Sequence, residues 1–146
     1  MKRGRAISFA VGMGAGIGLP LLVLAHDPTP SMPDPALTPG AVTAASLSEI
    51  CAPGYARAHR VWHDKAATLQ KYGLPLSDAH LYEDDDRVPV CLGGDNASPF
   101  NHWPQKMSEA RDKDALEWRV CREVCEGRMS LDRAHLLFLG DWRSAL

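Results

Sequence analysis

A chain of 146 residues with 18 acidic residues against 16 basic ones carries a formal net charge of −2 and has room for one small domain. An overall negative protein gets no general electrostatic help towards nucleic acid, so any such contact needs a local basic patch. Four cysteines, an even count, favour two disulfides over a metal site or catalytic thiols if the chain is exported.

The N-terminus supplies that condition. Lys2, Arg3 and Arg5 precede an uncharged stretch, Ala6 to Leu24, and Val23-Leu24-Ala25 is a small-residue cleavage site. Residues 1–25 therefore read as a secretory signal peptide. The competing reading, an uncleaved membrane anchor, is weakened by Gly12, Gly14, Gly16, Gly18 and Pro20, which make a poor permanent helix. A periplasmic or secreted product with no stable membrane span after cleavage is expected. Cleavage removes three of the 16 basic residues and none of the 18 acidic ones, so 13 against 18 leaves a mature net charge of −5.

Residues 26–46 contain Pro28, Pro30, Pro33, Pro35 and Pro39, a density that blocks helix and sheet. They are predicted to form an extended, disordered spacer that begins to order near Leu47 and Ile50. The domain is predicted over 47–146. Pro53-Gly54 reads as a turn, and Val61 to Tyr72 as a short helix with Val61, Lys65, Leu69 and Tyr72 on one side and Gly73 as its stop. Val88 to Leu92 reads as a strand, followed by turn chemistry at Gly93-Gly94-Asp95-Asn96. Met107 to Cys125 is the strongest helix, with Leu116, Val120 and Val124 as its buried face and Gly127 past its end. Ser130 is placed to N-cap a last helix, Leu131 to Leu139. Leu136, Leu137 and Leu139 cover it, and Trp142 follows the Gly140-Asp141 break. The fold class is α+β, a short strand pair between helices, stapled by disulfides as a core this small requires. Cys121 and Cys125 share a helix face, where a bridge between them would be strained, so each is expected to reach a different partner, Cys51 or Cys91.

The segment Tyr82 to Gln105, YEDDDRVPVCLGGDNASPFNHWPQ, carries the chemistry. Tyr82-Glu83, Asp85, Pro89, Leu92-Gly93-Gly94, Asn101, Trp103-Pro104-Gln105, Lys113-Asp114 and Glu117 fall in order. They follow a CAPGYARAHR lead-in and precede a VCEGRMSLDRAHLLFLGDW ending. This order, from about Cys51 to Trp142, resembles the small exported HNH-type nucleases of ββα-metal fold. The resemblance implies a ββα-metal core with flanking helices and phosphodiester hydrolysis, with nucleic acid as the partner. It also implies one divalent metal, Mg²⁺ or Mn²⁺ (or Ca²⁺), which stabilises charge on the scissile phosphate. By position, Asp85 and Asp114 would be metal ligands and Asn101 the residue that orients the general base. Cysteines at the positions of Cys51 and Cys125 in that family suggest Cys51–Cys125, with Cys91–Cys121 as an added pair.

The departure falls on the base. The family's histidine position is Asp86, and a free Asp is a weaker base than a free His by about two and a half pKa units. Asp86 would act as the base or become a further oxygen ligand, leaving none. His102, directly after Asn101, is a candidate substitute imidazole. His59, His63 and His80 read as surface histidines. Arg111 and Lys113 are candidates for phosphate contact, or else solvated charges. Glu117 shares a helix face with Asp114 and would meet metal or pair with an Arg. Asn101 as a simple loop cap and Trp103-Pro104 as a core anchor fit either outcome. The plainer alternative is a charged turn at Asp84 to Asp86, neutralised by Arg57 or Arg60. That reading leaves a catalytically inactive, nuclease-fold binding or structural module of the cell envelope.

Overall fold

The computed structural model describes residues 31–146. The expected signal peptide and residues 26–30 lie outside the described residues. Among the described residues no helix is long and apolar enough to cross a membrane.

The domain mixes helices with one two-stranded antiparallel sheet. Two one-turn helices come first, α1 (Leu47–Ile50) and α2 (Tyr55–Ala58), then α3 (Lys65–Lys71) and a 3-10 turn (Leu76–Leu81). Strand β1 (Tyr82–Asp86) pairs with β2 (His102–Lys106) in a register that sets Asp86 opposite His102 and Asp84 opposite Pro104. The chain passes from β2 directly into the long helix α4 (Met107–Cys125), and α5 (Leu131–Leu139) follows.

Helices α4 and α5 fall where periodicity places them. Leu116, Val120 and Val124 are buried as expected and pack with Phe138, Trp142, Val88 and Leu92 in the main core. The Ser130 hydroxyl accepts the Arg133 N–H at 3.2 Å, and Gly127 takes a left-handed φ of 72° just beyond α4. On α5 the core-facing side chains are Ala134 and Phe138, while Leu136 is exposed. Leu137 and Leu139, with Leu131, pack partly buried against the core as expected, so of the three leucines expected to cover the helix only Leu136 turns outward.

Three expectations are corrected. The strand lies at Tyr82–Asp86, not Val88–Leu92, because Pro89 lacks a donor and the chain turns there: Val90–Leu92 is a 3-10 turn, with Gly94 N–H donating to the Pro89 carbonyl at 3.0 Å. A Cβ on Gly94 would sit 1.8 Å from the Val88 carbonyl oxygen, so only glycine permits this close return. Helix α3 starts at Lys65, where the Asp64 carboxylate accepts the Ala66 N–H at 3.0 Å; Val61 stays outside, exposed, its N–H given to the Asn96 side chain at 2.7 Å. Finally, residues 31–46 are applied to the domain as a strap. Thr38 is buried, with its hydroxyl donating to the His102 carbonyl at 2.8 Å and its own carbonyl accepting from Arg87. Gly40 N–H donates to the Phe100 carbonyl at 3.0 Å and Thr43 N–H to the Gly93 carbonyl at 2.8 Å. Proline excludes helix and ladder pairing, yet single hydrogen bonds from the residues between are enough to dock an extended chain.

Two disulfides join Cys51 to Cys125 and Cys91 to Cys121, and no described cysteine is free. They tie both the lead-in and the turn after β1 to the last turns of α4. Two such bonds in a small domain suit an oxidising, extracellular compartment.

Candidate functional site: an acidic cleft beside the hairpin

The four carboxylates of β1 diverge because strand side chains alternate. Asp85 turns towards α4 and Asp86 towards β2. Between β1, α4 and the residues before α3 lies an open cleft of about 460 Å³. Glu83, Asp84, Asp85, Asp86, Asp114 and Glu117 line it, together with Arg60, Val61 and Trp118. Three of the expected site residues, Asp85, Asp86 and Asp114, thus line one space. Arg111 is exposed on α4 and is not among the lining residues.

Under the cleft floor Lys113 is buried, not presented to solvent or phosphate. Its ammonium lies 2.6 Å from Asp85 Oδ2, donates to the Asp86 carbonyl at 2.8 Å and pairs with Glu117 one turn on. Burial works against the charged lysine, but Asp85 and Glu117 outweigh it and raise its pKa. Burial raises the Glu117 carboxyl to about 7, opposed by Lys113 and reinforced by Asp85. The neutralising partner of the acidic run is therefore Lys113, where Arg57 and Arg60 were the expected ones. Arg57 does not line the cleft; Arg60 does and lowers the Glu83 carboxyl. Burial, Asp85 and Asp114 outweigh it and leave Glu83 raised.

Asp86 is held differently. Oδ1 accepts from Asn101 Nδ2 at 3.0 Å and Oδ2 from Asn96 Nδ2 at 2.9 Å. Burial raises its carboxyl, with His102 opposing. Asn101, fully buried, also accepts the Val88 N–H and donates to the Val88 carbonyl, both at 2.9 Å, so one amide fixes the chain on either side of Arg87. Its contacts reach Asp86 through the side chain and the turn through the backbone.

His102 is buried opposite Asp86. Its Nε2 is 2.9 Å from the Asn96 carbonyl and 3.8 Å from Asp86 Oδ1, and its Nδ1 is 3.6 Å from Asp84 Oδ1. Burial lowers its pKa, but Asp84, the Asn96 carbonyl and Asp86 outweigh it and leave the imidazole raised. The ring does not line the acidic cleft. It closes a separate cavity of about 160 Å³ with His63, Thr68, Lys71 and Pro99. His63, expected on the surface, packs on it with ring centres 3.7 Å apart. The Asp84 side chain is only 9% exposed, and the His102 imidazole is its ionic partner.

A divalent metal is what the resemblance implies, and the donor set does not fit one at the expected place. The Asp85 oxygen that would bind it faces the Lys113 ammonium, and Asp86 spends both oxygens on amide donors. Among the described residues no three His, Cys, Asp or Glu side chains are spaced to hold an ion together. The residues that sequence reasoning missed are Asn96, Lys71 and Trp118. Asn96 stood within recognisable turn chemistry; Lys71, whose ammonium donates to the His102 carbonyl at 2.6 Å and the Pro99 carbonyl at 2.7 Å, carried no signal. Compared with protein-family models, curated proteins and solved structures, the chain matches none.

Proposed function

We propose that the chain is an exported module on an HNH-like ββα scaffold in which the hydrolytic centre has been given up and the acidic cleft kept as a binding surface. The observation that carries this reading is Lys113: a covalently attached cation sits against Asp85, the position where the resemblance calls for the metal. The amide-bound state of Asp86 supports it, since a carboxylate that already accepts from Asn96 and Asn101 has little freedom to take a proton from water. Electrostatics point the same way, because a phosphodiester would meet six carboxylates and one lining cation, Arg60.

A second reading, a working metal-dependent nuclease, draws support from that same surplus. Six lining carboxylates exceed what Lys113 and Arg60 neutralise, which leaves Glu83 and Asp114 as oxygen donors without a paired cation in the cleft. Plasmid DNA and single-stranded RNA, incubated with the oxidised protein and Mg²⁺ or Mn²⁺, separate the two. The expected result is no cleavage above that of an Asp85→Ala, Asp114→Ala double variant. Cleavage by the wild-type chain that the double variant lacks overturns the proposal in favour of the nuclease.

A further inference from the structure

Lys113, Asp85 and Glu117 form a compact set whose own chemistry the binding reading leaves unused. Their side chains are 1%, 15% and 16% exposed, and the Lys113 nitrogen lies 2.6 Å from Asp85 Oδ2 and in contact with Glu117. The Phe138 ring covers the ammonium from the core side, 5.7 Å from its centre, and Leu116, on the same face of α4, is buried too. The Asp86 carbonyl accepts from the same nitrogen at 2.8 Å, which fixes the amine against β1. An amine and a carboxyl from two different elements are thus held in contact and largely out of water. Such holding turns a bimolecular condensation into a unimolecular one, and well-oriented pairs reach effective concentrations of about 10⁵ M or more. Keeping both groups ionised is costly away from water, and a neutral amide in the same place removes that cost.

We propose that the Lys113 amine and the Asp85 carboxyl condense to an isopeptide bond, with Glu117 as the proton shuttle. The bond between Lys113 Nζ and Asp85 Cγ forms, and one Cγ–O bond of Asp85 breaks. Glu117 takes a proton from the ammonium, which frees the lone pair for attack on Cγ. It passes that proton, and a second one released from the same nitrogen, to the departing oxygen, which leaves as water. Three N–H bonds become one amide N–H and the two O–H bonds of water, Glu117 ends as it began, and no further reactant is consumed. Burial works against the ammonium, but Asp85 and Glu117 outweigh it, so loss of the first proton sets the pace. Burial holds the Glu117 carboxyl at about 7, where both of its forms are present near neutral pH, as a shuttle requires. The surviving amide N–H keeps the Asp86 carbonyl as its acceptor. The product is a third cross-link, from β1 to α4, that reductants leave intact. It goes beyond the binding reading and does not depend on it.

The test is mass spectrometry of the oxidised mature chain after prolonged incubation at neutral pH, first intact, then reduced, alkylated and digested with trypsin. The expected intact mass is one water below that of the sequence with its two disulfides. The expected digest joins residues 72–87 to residues 112–119 through Asp85 and Lys113, with no cleavage after Lys113. Lys113→Arg keeps a cation against Asp85 but offers no nucleophilic amine, so it should keep the full mass. Glu117→Gln should slow the appearance of the linked form about a hundredfold. A wild-type chain of full mass overturns the proposal, and needs no variant to fold. Water lost within residues 72–87 alone would be an Asp succinimide, and within 112–119 alone a Lys113–Glu117 lactam; either overturns it. Linkage at an undiminished rate in Glu117→Gln overturns it as well. The masses read the same whether the chain binds a partner or cuts DNA, so failure here leaves the binding reading untouched.

Discussion

The molecule is held by two unlike regions that meet along α4. On the α5 side, Leu116, Val120, Val124, Phe138 and Trp142 form an apolar core with no charge to satisfy. On the hairpin side, Lys113, Asp85, Glu117, Asp86, Asn96 and Asn101 form a buried polar network in which each member answers another. Apolar contacts are non-directional, so that side tolerates changes that keep volume. A buried polar network is cooperative and costly when half satisfied, so its side should fail sharply when one member goes. The contrast is open to attack from both ends.

Lys113→Met is the hardest blow. It keeps length and apolar bulk but leaves Asp85 and Glu117 without a cation, at a cost of about 3–5 kcal/mol in urea unfolding at pH 7. A loss below about 1 kcal/mol would mean that water reaches the pair and the network is not a unit. On the apolar side, Phe138→Ala should cost about 3 kcal/mol through the cavity it leaves, whereas Leu116→Met should cost less than about 1.5. If the conservative Leu116 change proved as damaging as the Phe138 truncation, the supposed tolerance of that core would be gone.

Asn101→Ala should cost about 2 kcal/mol, since it strips the Val88 N–H and one Asp86 oxygen of their buried partners. Thermal melts with and without the substitution measure it, and an unchanged midpoint would show that the turn after β1 holds without the amide. The smallest effect is that of pH. Glu117 binds its proton more tightly folded, at about 7, than at its ordinary 4.5, so its contribution is full below 4.5 and lost as pH rises through about 7. His102, raised above 6.5, stabilises fully below that value and loses its contribution as pH climbs past its folded pKa. The melting temperature should therefore fall between pH 5 and pH 8, on the order of 5 °C, and Glu117→Gln should flatten the curve. A melting temperature that climbs over this range contradicts both assignments.

The same division governs what could be read from the chain beforehand. Helices α4 and α5 were legible because a 3.6-residue apolar period survives in the sequence, and the cysteine pairing because the resemblance carried it. The hairpin was not. Five residues with four consecutive carboxylates have poor strand character, and they are made tolerable by distant partners: Lys113 for Asp85, Asn96 and Asn101 for Asp86, and His102 for Asp84. Lys113 itself sits on the buried stripe of α4 in a place where a surface charge is the ordinary expectation. The strap was missed for a related reason. Its prolines rule out regular structure, and its anchors are single bonds from Thr38, Gly40 and Thr43 to distant partners, which leave no local pattern. Asp85 and Asp114 line one cleft, but what each can do there depends on neighbours invisible in one dimension.

The Cys51–Cys125 bond has a mechanical consequence. It spans 74 residues and encloses the whole hairpin, α3 and α4, while Cys91–Cys121 locks a second loop within it. A pull on the two ends of the chain would bypass everything between Cys51 and Cys125, so only the strap and the α5 tail could be drawn out as slack. Peeling the strap would expose Thr38 and free the Arg87 and Lys71 donors that it engages, without opening the cleft. The cleft is thus insulated from tension on the chain ends.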